Sequence, residues 1–188
     1  MKLQILCLGL FSLTLVGCPA IPYKETPKKV KEQQWERPAA KILLPVSLVA
    51  AYFGAMGTHE GGHALAATAY GADSIKINIL PSKFEGRFHL GLTSATYSNR
   101  INSTQDFLSN ISGPSSVLAG QIMSRELLKT GLLPLVLQAP MQWYAVGCKF
   151  QFYGEVLWGI SRIKTSDFGK EPVWAPLAFG VGGLLYDI

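Results

Sequence analysis

The chain is 188 residues long, 48% apolar and only 15% charged, with a mean hydropathy of +0.23. That is enough for one real core, and it is poor in charge against the roughly 25% usual in soluble domains, which points toward membrane association. The net charge of +5 comes without aromatic-basic interleaving or a nucleic-acid motif, which argues against a nucleic-acid partner.

The N-terminus reads as a processing signal. Lys2 precedes the apolar stretch Leu3 to Val16, and Leu15-Val16-Gly17-Cys18 closes it. These four residues resemble the lipobox of bacterial lipoproteins. The resemblance implies a signal peptide over 1–17 and lipidation of Cys18 as the mature N-terminus. Cys7 would then be removed and Cys18 acylated, leaving Cys148 alone, so no intrachain disulfide is expected and a cysteine metal cluster is excluded. Residues 18–41 carry Pro19, Pro22, Pro27 and Pro38 among Lys, Glu and Gln, the composition of a tether. Six of the 17 basic residues fall between Lys24 and Lys41, as in a juxtamembrane basic segment. Its place just after a signal sequence runs against the positive-inside tendency.

A strong helix is expected over Ile42 to Tyr70, ended by Gly71. It holds His59-Glu60-Gly61-Gly62-His63. His59 and His63 lie four apart and so on one helical face, a turn from each other. That spacing lets two neutral imidazoles bind one Zn²⁺, with Glu60 placed to take a proton from the attacking water. Two of the three histidines of the chain sit at this ligand spacing. Buried His and Glu in an apolar helix are costly unless paired or metal-bound. Gly57 and Gly61 form a small-residue spacing that admits close approach of another helix or a substrate backbone. The 17 uncharged residues from Ile42 to Thr58 are near the lower limit for spanning a bilayer.

Ser74 to Leu80 alternates with Ile75, Ile77 and Ile79 on one face, which predicts a strand, and Arg87 to Tyr97 supplies one or two more. Phe107 to Ser124 is uncharged, and Asn110-Ile111-Ser112-Gly113-Pro114 reads as a helix start with Pro114 in the first turn. Thr130 to Cys148 is another uncharged stretch, broken by Pro134 and Pro140. Gly154 to Ile163 reads as a shorter helix carrying Glu155, and Pro172 onward is mostly apolar. The fold expected is therefore mainly α, with membrane-embedded helices and a small β-hairpin or sheet after the metal-motif helix. Residues 42–188 would form a membrane-associated metallopeptidase-like domain.

A catalytic Zn²⁺ takes three protein ligands and keeps one open position. The downstream candidates for the third ligand are Asp167, Glu155, Glu126, Glu171 and His89, with Glu155 favoured among the glutamates because its segment is apolar. The stretch Thr58-His59-Glu60-Gly61-Gly62-His63-Ala64-Leu65-Ala66-Ala67-Thr68-Ala69-Tyr70-Gly71 resembles the site-2 protease family of intramembrane zinc metalloproteases. Gly62 before the second His, Gly71 past the helix and the strand that follows match that family's pattern. Asn110 to Gly120, with Gly113-Pro114, looks like its Gly-Pro helix start. Ser166-Asp167-Phe168-Gly169 looks like its third-ligand element, although Phe168 separates the Asp from the Gly and the family's Asn-Pro motif is absent. The resemblance implies Asp167 as the third metal ligand. Asn110 is a candidate donor to a developing oxyanion.

The function expected is a zinc-dependent, membrane-associated metalloendopeptidase at the bacterial cell membrane. Glu60 would be its base, and His59, His63 and Asp167 its metal ligands. Its partners would be membrane lipids and a membrane-associated peptide or protein substrate. The alternative is a non-catalytic membrane lipoprotein with a vestigial or structural metal motif. A zinc hydrolase acting on a non-peptide bond shares the same metal chemistry.

Overall fold

A computed structural model of the chain describes residues 27–84, 86–161, 166–168 and 171–187. The expected signal peptide and Cys18 lie outside the described residues. The elements run α1 (Pro27–Ala69), β1 (Ser74–Asn78), β2 (Ser82–Phe84), β3 (Arg87–His89), β4 (Leu92–Thr96), α2 (Ser103–Thr130), α3 (Leu135–Ile160) and α4 (Trp174–Asp187). Two compact units divide the chain, Met1–Lys41 and Ile42–Ile188, and the second carries every candidate metal and catalytic residue. Helix α1 begins at Pro27, inside the segment expected to be a tether.

The C-terminus of α1 follows from one glycine. Gly71 adopts φ +76°, which costs no Cβ clash, and lets its own N–H and that of Ala72 reach back to the carbonyls of Thr68 and Ala67 at 3.1 and 3.0 Å. The chain then turns into a narrow antiparallel ribbon. β1 pairs with β4 from Ser74↔Thr96 to Asn78↔Leu92, and β2 pairs with β3 from Ser82↔His89 to Phe84↔Arg87. The ribbon is tied to α1 by side chains. The Thr93 hydroxyl donates to the Glu60 carbonyl at 3.0 Å, and the Tyr52 hydroxyl to the Leu90 carbonyl at 3.0 Å. Ile77 stays exposed, so the isoleucine face of β1 does not form a core.

Helix α2 starts at Ser103, upstream of the expected start at Asn110. Asn102 and Gln105 form a capping box: the Asn102 side chain accepts from the Gln105 N–H, and the Gln105 side chain from the Asn102 N–H, each at 2.9 Å. This satisfies two orphan donors and outweighs the helix-starting tendency of Pro114, which lies buried inside α2. The shorter helix expected at Gly154 is the last part of α3, which passes through Pro140 without a break. Pro140 lies past the first turn of α3, so it removes one ladder hydrogen bond, the one to the residue 136 carbonyl, without ending the helix.

The core is formed by Ala55 of α1, Val117 of α2, Cys148, Phe152 and Val156 of α3, Phe168 of the α3–α4 connection and Ala175 of α4. Close helix approach occurs at glycines other than the pair expected. Nothing lies within 4 Å of a Cβ placed on Gly57 or Gly61. A Cβ on Gly62 would instead strike Ser116 and the Ser112 carbonyl of α2, and one on Gly147 would lie 2.9 Å from the Ala51 carbonyl. These glycines set α1 against α2 and α3.

The expectation of membrane-embedded helices is overturned. No helix among the described residues is long and apolar enough to cross a membrane. α4 has 14 residues, about 21 Å of helix against a hydrocarbon core of about 30 Å. In α3 the apolar run is interrupted by Gln138, Gln142, Lys149, Gln151 and Glu155, and the uncharged stretch of α2 is rich in Ser. Among the described residues the fold is mostly helical, with four helices and a short strand ribbon beside α1.

Candidate metal centre

His59 and His63 project from the same face of α1, with ring centroids 5.0 Å apart and Nε2 atoms separated by 3.3 Å. Asp167, from the connection between α3 and α4, places Oδ2 2.8 Å from His59 Nε2 and 3.1 Å from His63 Nε2. One ligand atom from each residue lies within 4.8 Å of the others. Zinc bonds of about 2 Å in a tetrahedron put donor atoms roughly 3.3 Å apart, close to these separations. Two imidazole nitrogens and one carboxylate oxygen are a donor set that can hold a divalent metal ion.

The orientation of His63 supports this reading. Its Nδ1 lies 2.7 Å from the Ser109 carbonyl oxygen. A carbonyl only accepts, so Nδ1 carries a proton and donates, which leaves the lone pair of neutral His63 on Nε2, facing His59 and Asp167. The His59 Nδ1 is buried and has no hydrogen-bond partner among the described residues, so packing alone fixes that ring from behind. The His63 Nε2 lone pair and the Asp167 carboxylate oxygen 3.1 Å from it repel unless a cation or a proton lies between them. The residues therefore fit a divalent metal, with His59, His63 and Asp167 as its ligands.

Electrostatics follow the same logic. Burial pushes both imidazoles toward the neutral form, but the Asp167 carboxylate outweighs it. His59 is raised above its ordinary value and His63 to about 9. Burial works against the Asp167 charge, yet the two rings hold its carboxyl far below the usual range. Glu155 goes the other way. Burial first, then the neighbouring Asp167 charge, push it up to about 7.

Glu60 is 4% exposed and reaches the same cavity as the three ligands, a space of about 730 Å³ also lined by Gly91, Thr93, Asn110 and Trp158. Its carboxylate lies against Gly91, where an added Cβ would sit 2.6 Å from Oε1. The ribbon therefore makes room for the carboxylate only because that position has no side chain. Asn110 lines the cavity too, and its amide donates to Glu171 at 2.7 Å. Of the other candidate ligands, His89 lines the cavity outside the cluster. Glu126 is exposed and bonded to Lys129 and Tyr186, each at 2.7 Å. Glu155 stands behind Asp167, bonded to its backbone.

Three supporting features are not apparent from the sequence reading. The Ser109 carbonyl that orients His63 is backbone and leaves no side-chain signal. Gly91 carries no marker beyond being a glycine near a strand. Gly113 does carry one, because Gly113-Pro114 stands out, but its role is steric: a Cβ there would lie 2.8 Å from His59 Nε2 and closer still to His63 Nε2. Against models of protein families, curated proteins and solved structures, the chain matches none. The functional reading therefore rests on the chemistry of the site.

Two outcomes follow. Gly113→Ala should weaken zinc binding at least about tenfold while the helical circular dichroism is retained, since the added methyl occupies the space of the ligand nitrogens. A chelator competition titration measures it, and unchanged affinity contradicts the close approach. Zinc affinity should also rise with pH. A protonated imidazole cannot ligate, and His63 holds its proton up to about 9, so binding should strengthen steadily from pH ~6 and level off near that value. The same titration at several pH values checks this, and a flat profile contradicts it.

Proposed function

We propose that the chain is a zinc-dependent endopeptidase. The observation that carries this reading is the convergence of His59 Nε2, His63 Nε2 and Asp167 Oδ2 in a cavity that also receives the Glu60 carboxylate. When bound, zinc supplies a Lewis acid and lowers the pKa of water. The protein's own residues do the rest. His59, His63 and Asp167 hold the ion, and the Ser109 carbonyl keeps His63 in the ligating tautomer. Glu60 takes the proton of the attacking water and returns it to the leaving amine. The Gly91 backbone leaves its carboxylate free to do so.

Two features favour a peptide over other hydrolysable groups. β4 pairs with β1 on one edge, with no second strand partner among the described residues, and Leu92, Thr93 and Ala95 of β4 line the cavity. An extended peptide can lie along such an edge. The resemblance of Thr58 to Gly71 to the site-2 protease family points to the same reaction. Lipidation at Cys18 would hold the enzyme at a membrane surface and make nearby unfolded segments its substrates.

Activity on an unstructured fluorogenic peptide should be lost on chelation and restored by zinc. Glu60→Gln should keep the metal and lose about 10²- to 10⁴-fold in turnover, because an amide cannot take the proton. Wild-type turnover in this variant would remove Glu60 from the mechanism. Full metal binding with no hydrolysis of any peptide by the wild type would favour the non-catalytic alternative.

A further inference from the structure

The third ligand comes from irregular backbone. Asp167 belongs to the connection between α3 and α4, and the described residues around it, Ser166 to Phe168, lie in no helix or strand. A carboxylate on such a segment binds metal tightly only if the segment is fixed by other means. Two ties are visible. Phe168 is fully buried against Phe179, with ring centroids 5.3 Å apart, and Gly159 of α3 leaves the space its side chain needs. The second tie is Glu155, one helical turn before Gly159. Its Oε2 accepts from the Ser166 hydroxyl at 2.9 Å and from the Asp167 N–H at 3.2 Å. The Ser166 oxygen in turn accepts from the Phe168 N–H at 3.2 Å.

We propose that Glu155 is a positioning residue for the third metal ligand: its carboxylate clamps Ser166 and the Asp167 backbone so that Asp167 Oδ2 meets the two imidazoles. The proposal rests on the metal reading above. Glu155 is 6% exposed, and an unpaired carboxylate at that depth would be costly. It is not one of the three converging residues. Its Oε2 hydrogen bonds instead run to the ligand segment. One carboxylate oxygen accepts from both donors, a side-chain hydroxyl and a backbone N–H, which ties two successive residues of that segment to α3. Together, the last turns of α3 supply a carboxylate for the backbone around Asp167 and a gap for the ring beside it.

The experiment measures zinc affinity by chelator competition on the full chain, with the Co²⁺ absorption spectrum as a second readout. His63→Ala serves as the control for the metal reading, and if it binds zinc like the wild type, that reading falls and the proposal with it. Given loss of zinc in that control, Glu155→Ala should weaken zinc binding about 10- to 100-fold. Glu155→Gln should weaken it by less than about tenfold, because the amide oxygen accepts the same two bonds. In an Asp167→Ala background, Glu155→Ala should cause no further loss, since the clamp acts only through Asp167. Ser166→Ala, which removes one donor, should give an intermediate affinity and keeps the test open if Glu155→Ala does not fold. The proposal is overturned if Glu155→Ala binds zinc like the wild type, or if it weakens the Asp167→Ala protein by the same factor as the wild type. It is overturned equally if Glu155→Gln strips a ligand from the cobalt spectrum, which would make Glu155 a direct ligand.

Discussion

Two imidazole nitrogens and a carboxylate oxygen are held about 3 Å apart at the wall of a cavity. Such a set is repulsive unless positive charge lies at its centre, and the surrounding structure is arranged so that it cannot spread. His59 and His63 are locked in register by helix periodicity. The backbone of α2 presses against them at Gly113, where any larger residue would push the rings aside. The Ser109 carbonyl decides which nitrogen of His63 faces inward.

The rest of the fold serves to bring distant segments to that point. Gly62 lets α2 lie close to α1, which carries Ser109 and Gly113 to the histidines. α3 ends in the turns that receive Phe168, so core burial and ligand placement are coupled through one tripeptide, Ser166 to Phe168. The ribbon closes another side. Thr93 and Tyr52 bond it to α1, and Gly91 shapes the space around Glu60. Loss of any one segment would leave the two histidines as an ordinary pair on a helix.

Legibility in the sequence tracked distance along the chain. His59, Glu60 and His63 lie within one and a half helical turns, so spacing alone gave their geometry. The strand at Ser74 was legible from alternation. Asp167 is 104 residues from His63, and no local rule connects them. It was reached through resemblance, and Glu155 stood beside it as a rival until the structure placed it behind the ligand. The start of α2 was written in Asn102 and Gln105, but the more conspicuous Gly113-Pro114 obscured it. Hydropathy misled most. The apolar residues of α1 and α4 were read as membrane-embedded segments, yet among the described residues no helix is long and apolar enough to cross a membrane. Apolar composition reports neither helix length nor the direction a side chain takes.

The central claim is that His59, His63 and Asp167 together hold one zinc ion. X-ray absorption at the zinc edge of the purified, zinc-loaded protein tests it most directly. The account predicts a shell of nitrogen and oxygen donors at about 2 Å, with the outer-shell scattering of two imidazoles, reduced by one oxygen donor in Asp167→Ala. A shell with one imidazole or none, or one unchanged by loss of Asp167, would contradict it.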